Sequence, residues 1–278
     1  MLQVNCFKEL FSLARVNRAA YQAFKAHELL LIKTVLWKVS PPAWELRQIS
    51  EVMPRSSQQD PGSQSLAASL YLRHYARDLY ILVRIKFLIR TYCRAILSNK
   101  TVTALDNPGS DEDTAIDDTI WRVWTFCYLF GSQKGREWDL AGQVQWLRGE
   151  TFGSDLPLVC CTSPDPSDIQ MVSFIPPEGF AYGNRGPLLE TQVQDMVEIW
   201  TAMHALLDFL RVDTLHARQH SVFDGFDIAL RDIQREQSIL NMWLEYILTL
   251  GPAAVLELVP DGTSSDPGTA FAQAASYG

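Results

Sequence analysis

The chain has 278 residues, 47% of them apolar and 20% charged, with 24 Lys and Arg against 32 Asp and Glu for a formal net charge of -8. That length suffices for one large domain or two and buries a core without staples, and the composition excludes collagen-like, low-complexity and transmembrane chains. The net negative charge argues against the broad basic surface with which nucleic-acid binders displace counterions from phosphates.

Charge is unevenly spread. Residues 1–100 carry 15 Lys and Arg but 6 Asp and Glu, a net +9, while the remainder carries 9 against 26, a net -17. Such a division predicts that the two parts pair with each other, or that a basic N-terminal part meets an acidic protein partner. The five cysteines (Cys6, Cys93, Cys127, Cys160, Cys161) form an odd set without C-x-x-C, and the adjacent pair is poorly placed for a strain-free bridge. The first residues, MLQVNCFKELFSLARVNRAAY, are charged too often for a secretory signal. A reducing intracellular compartment, cytoplasmic or nuclear, is the expectation.

In chain order, residues 7–37 read as helical, with Leu10, Leu13, Val16, Ala20 and Phe24 spaced by three or four. Pro41 and Pro42 end whatever helix precedes them. MPRSSQQDPGSQS, residues 53–65, reads as a flexible loop. Ser65 is placed to cap a helix over 66–98 that keeps Leu72, Tyr75, Leu79, Leu82 and Ile89 on one broad face and Arg73, Arg77 and Arg84 on another. Its run LYILVRIKFLI, residues 79–89, is too short and too charged to span a bilayer and reads as buried helix. Further helices are expected over 115–131, 187–210 and 224–250, the last stopped by Gly251 and Pro252 and followed by a short AAVLEL helix. Residues 150–186 are a Pro- and Gly-rich middle in which LVCC and MVSFI have strand character. The expected fold is therefore mainly α, an irregular multi-helix bundle with a loop-rich middle and a few short strands, and residues 261–278 a disordered tail.

No pattern specifies a reaction. DNPGSDEDTAIDD, residues 106–118, lacks the glycine and terminal Glu of a calcium loop, and GSQKGR, residues 131–136, lacks phosphate-loop spacing. There is no G-x-S-x-G, and Cys127, within WTFCYLF, reads as core packing. One cluster has metal-ligand character: His216 and His220 are four apart, as on one helical face, with His204, Asp208 and Asp224 nearby. The metalloprotease pattern needs Glu after the first His, and Ala217 stands there, so a polar connection between helices explains the same residues. The favoured expectation is a non-enzymatic protein without cofactor; a metal-dependent helical enzyme using His204, His216, His220 and Asp224 is the alternative. Among the eight tryptophans, Trp44 and Trp138 are the candidates for exposed interface anchors.

LFSLARVNRAAYQAFKAHELLLIKTVL, near the N-terminus, is similar to the later helices of an F-box. SPPAWELRQ, LYLRHYARDLY, WRVWTFCYLFGSQKGREWDLAGQVQWLRG and YILTLGPAAVLEL, which follow in that order, resemble segments of filamentous-fungal F-box domain proteins. The resemblance runs from about Phe7 to Val259 and implies partial F-box-like helices over residues 1–39 and a helical C-terminal domain over 40–260. It further implies docking on a Skp-type adaptor of a cullin-type ubiquitin ligase through Leu10, Leu13, Val16 and Phe24, and selection of a protein target by the larger domain. An F-box starts with a Leu-Pro segment and a first helix, and MLQVNCFKEL begins after that point, so the resemblance implies an incomplete docking site. The surface expected to meet a target comprises Arg73, Arg77, Arg84 and Trp44, with neither nucleic acid nor membrane as partner.

Overall fold

The computed structural model describes residues 4–50, 61–151, 158–161, 171–174, 176–211, 213–229, 232–259 and 271. In chain order its helices are α1 (Phe7–Ala14), α2 (Arg18–Ala26), α3 (Glu28–Val39), α4 (Pro41–Ser50), α5 (Pro61–Tyr92), α6 (Asn99–Asp106), α7 (Asp111–Phe130) and α8 (Leu140–Leu147). Strands β1 (Leu158–Cys161) and β2 (Met171–Phe174) come next. The chain then forms α9 (Glu190–Leu206), α10 (Asp208–Arg211), α11 (Thr214–Gln219), α12 (Ile233–Thr249) and α13 (Pro252–Leu258). The fold is mainly α, and LVCC and MVSF pair as one antiparallel hairpin with Leu158 opposite Phe174 and Cys161 opposite Met171.

Several element boundaries differ from the pattern-based expectation, each for a local reason. Residues 7–37 form three helices because Asn17 caps α2, its side chain accepting the Ala20 N–H at 2.8 Å, and because His27 joins α2 to α3 outside helical geometry. Pro41 does not only follow a helix end; it opens α4, where a missing N–H costs nothing. Helix α5 begins at Pro61, inside the segment expected to be loop, so Ser65 lies within the helix and its hydroxyl instead accepts from Lys25 at 3.0 Å. The rest of that segment, residues 53–60, lies outside the described residues. At its other end α5 stops at Tyr92 because Ser98 starts α6, accepting the Thr101 N–H at 3.3 Å. In α7 the start moves to Asp111: Ser110 accepts from the Asp113 N–H at 3.1 Å while the Asp113 carboxylate accepts from the Gly109 N–H at 2.9 Å.

The chain divides into two compact units, each discontinuous in sequence and so distinct from the expected segments 1–39 and 40–260. The first comprises residues 1–80 and 139–189, the second 81–138 and 190–278. Leu10, Phe24, Ile32, Leu36, Leu46, Tyr71, Trp146 and Phe180 fill the core of the first. In the second, α7, α9 and α12 pack on one another around Ile120, Ile199, Met203, Leu240 and Leu244. Of the tail expected to be disordered only Phe271 is described, and it is wholly buried with its ring stacked 5.3 Å from that of Trp243. The run 79–89 is buried on one face only: Ile81, Leu82, Ile85, Leu88 and Ile89 are inside, whereas Tyr80, Val83 and Phe87 face water.

The charge division follows the chain and not the units. The first unit carries 12 Lys and Arg against 12 Asp and Glu, and the second 12 against 20. Basic residues past position 80 do find acidic ones of later sequence. Lys86 lies 2.7 Å from Asp113 and 2.5 Å from Asp117; Arg90 and Arg94 share Asp106, at 3.1 and 2.8 Å; Lys100 meets Asp195 at 2.7 Å. No helix among the described residues is long and apolar enough to cross a membrane.

Candidate interaction surfaces

Glu45 sits on α4 with its side chain inside the first unit, 1% exposed. A buried carboxylate must be satisfied, and three N–H groups do this. The Trp146 indole donates to Oε1 at 2.8 Å, the Ala181 N–H to Oε1 at 2.7 Å and the Gly183 N–H to Oε2 at 3.0 Å. No side chain larger than hydrogen fits at position 183, since a Cβ there would stand 2.5 Å from Oε2. The anchored segment is strained: Ala181 and Arg185 adopt positive φ of 61° and 54° without being glycine. Asn184 adds a bond to the Trp146 carbonyl at 2.7 Å.

The anchored turn presents an aromatic and cationic surface. Tyr182 stands edge-on to Trp44 at 6.2 Å, Trp44 edge-on to Trp37 at 4.9 Å, and the Arg185 guanidinium lies 5.3 Å over the Trp37 ring while donating to the Trp37 carbonyl at 3.2 Å. Trp44, expected to be an interface anchor, is half-buried, and Trp138 is exposed. Sequence reasoning missed Glu45, and no local signal could have found it, since its donors come from positions 146, 181 and 183. Its carboxylate, with both oxygens accepting, holds a turn.

Of the residues assigned to adaptor docking, Leu10 and Phe24 are core, 5% and 8% exposed, and so cannot meet a partner without unfolding. Leu13 and Val16 do face water, at 36% and 68% exposure, because α1 turns Leu10 and Ala14 inward and ends before Val16. Phe11, Tyr21 and Leu30, which the periodic reading did not single out, are also exposed in the first three helices. On α5, Arg73 and Arg77 are exposed, whereas Arg84 is half-buried with its guanidinium 5.8 Å over Phe87.

The metal cluster does not assemble. Helix α11 ends at Gln219, so His220 caps it and does not share a helical face with His216. His216 Nδ1 lies 2.8 Å from Asp213, the residue that caps α11, while His204 lies 3.7 Å from Asp208 and 3.5 Å from Glu245. Asp224 is exposed in the following turn. Among the described residues no three His, Cys, Asp or Glu side chains converge as metal ligands.

Other chemically suggestive groups are structural. Complete burial pushes the Cys127 thiol up to about 12, and burial pushes Cys93 up to about 11, with the Asp208 charge adding to the rise, so both are poor nucleophiles. In the segment 131–136 the Arg136 side chain turns inward, over Phe130 at 4.8 Å and donating to the Leu129 carbonyl at 3.2 Å, which leaves no phosphate cradle. Asp78 on α5 lies 2.9 Å from Arg47 Nε without the alignment of a hydrogen bond. Burial outweighs the pull of Arg47 and Arg77 and raises its carboxyl to about 6.

In comparisons with known proteins the chain matches no family model, no curated protein and no solved structure.

Proposed function

We propose that this chain is a protein-interaction module without catalytic activity, in the manner of the substrate-receptor subunit of a cullin-type ubiquitin ligase, with α1–α3 as the element that docks on a Skp-type adaptor. The observation that carries this reading is the exposure of Phe11, Leu13, Tyr21 and Leu30 on three short helices, and of Val16 just past the end of α1, while Leu10, Phe24, Ile32 and Leu36 occupy the inner faces. Apolar side chains left in water above a buried inner face are what a docking element requires. Leu10 and Phe24 support that face from beneath and leave the list of contact residues.

The F-box resemblance of residues 10–36 points to the partner, and the geometry supplies the residues to change. Recombinant full-length chain is expected to retain a Skp-type adaptor at micromolar concentration in a pull-down. Leu13→Asp with Val16→Asp should abolish retention while leaving the helical circular dichroism and the unfolding midpoint unchanged. Absence of retention by the unaltered chain, or equal retention by the double variant, overturns the adaptor reading.

A further inference from the structure

We propose that the outward face of α5 between Leu66 and Tyr80 binds an acidic segment of a protein partner. At 100° and 1.5 Å per residue, Leu66, Arg73, Arg77 and Tyr80 fall within about 60° of one another and span about 21 Å along the helix. Leu66 and Tyr80, at the two ends of the row, are 62% and 61% exposed. Between them the exposed Ser69 and Ala76 are small, so a chain can approach the helix closely while Arg73 and Arg77 project beside it.

The two arginines are the exception on their own helix. Farther along α5, Lys86 and Arg90 are each engaged by carboxylates of the same unit, and in the first unit Lys25 and Arg47 lie against Glu28 and Asp78. Arg73 and Arg77 form no ion pair and no hydrogen bond among the described residues; Arg77 acts only through space on neighbouring Asp78. Their Cβ atoms, one turn apart, lie about 5–6 Å from each other, which suits two carboxylates at comparable spacing on an opposing segment. Arg and Tyr are enriched in the energetically dominant part of protein interfaces.

The occupant is a carboxylate-bearing peptide segment and not a nucleic acid. A polyphosphate needs several cations in a row to release its counterions, and here two arginines stand in a unit whose Lys and Arg only equal its Asp and Glu, on a chain of net charge -8. The exposed Leu66 and Tyr80 match apolar side chains interspersed with the acids, which a phosphate backbone does not offer.

The test uses the full-length chain and three labelled probes in fluorescence anisotropy at low salt. One is a dodecapeptide with two Glu four residues apart among leucines, the second its Glu→Gln copy, and the third a single-stranded oligonucleotide of twelve nucleotides. The Glu peptide is expected to bind, to weaken at least tenfold with Arg73→Glu and Arg77→Glu, and to weaken with Leu66→Ser or Tyr80→Ser, while the Gln copy binds at least tenfold more weakly. Leu13→Asp with Val16→Asp should leave peptide binding intact, so failure of the adaptor reading and failure of this one are told apart. Absence of Glu-peptide binding, indifference to the arginine substitutions, or tighter binding of the oligonucleotide overturns the proposal.

Discussion

Glu45 in the first unit and Glu236 in the second are buried to nearly the same degree, 1% and 4% exposed, and they are held by opposite means. The described donors to Glu45 are uncharged, an indole and two backbone N–H groups. Glu236 on α12 faces Arg218 of α11, whose Nε and Nη2 both reach its carboxylate, at 2.9 and 2.6 Å, while half of the arginine side chain remains in water. The difference lies in what each acid is for. A charge pair at a rim keeps one ion solvated and ties two helices, whereas neutral donors converging on an enclosed acid fix the backbone that carries them. The strained turn around Ala181 and Arg185 therefore owes its conformation to a side chain 136 residues earlier in sequence.

Removing the two anchors should have unequal consequences. Glu45→Ala strands three buried donors and leaves a void, and is expected to cost about 3–5 kcal/mol in urea unfolding, with loss of the near-ultraviolet signal of Trp37 and Trp44. Glu45→Gln keeps one accepting oxygen but sets an N–H against an N–H, and should cost about 2–3 kcal/mol. Arg218→Ala leaves Glu236 unpaired at a site water can reach and should cost about 1–2 kcal/mol, with Arg218→Lys recovering only part because it cannot make the two-pronged contact. Equal losses at Glu45 and Arg218 would erase the distinction between a turn-fixing acid and a rim pair.

How much of this was legible in the sequence follows from range. The mainly helical class, the inner face of α5, the strand character of LVCC and MVSF and the stop at Gly251, whose φ is 94°, rest on local spacing and local conformation and were legible, whereas the pairing of the two strands was not. The cap at Asn17 was in plain sight but submerged in the apolar period read across residues 7–37, while the caps at Ser98 and Ser110 lie in polar stretches where no apolar period marks the start of a helix. Glu45 was not legible, because its three donors come from positions 146, 181 and 183 and no local pattern announces a nonlocal acceptor. The histidines failed for a related reason: four-residue spacing places two imidazoles together only where the helix persists, and α11 lasts six residues.

A third carboxylate sharpens the comparison. Asp78 has an arginine beside it, as Glu236 does, but without hydrogen-bond alignment, and burial wins, lifting its carboxyl from 3.8 to about 6. The unfolded chain then ionises this group about two pH units before the folded one does. Its contribution to stability is fully present below about pH 4 and is lost as pH rises through about 6, by of order 3 kcal/mol. Asp78→Asn should flatten the unfolding free energy over that window relative to the unaltered protein; an unchanged slope would mean that Arg47 holds the carboxylate as firmly as Arg218 holds Glu236.

The smallest effect is expected at Val16, and it bears on the docking face. At 68% exposure just past the end of α1, Val16 loses almost nothing to water when polar, so Val16→Ser should shift the unfolding free energy by less than about 0.5 kcal/mol. A buried residue of the same helix, Leu10, cannot show such indifference, since its removal opens the core of the first unit. A polar change at Val16 that destabilised the chain as a core substitution does would mean that the residue is covered in solution, and that the apolar side chains of α1–α3 already have their partner within the molecule.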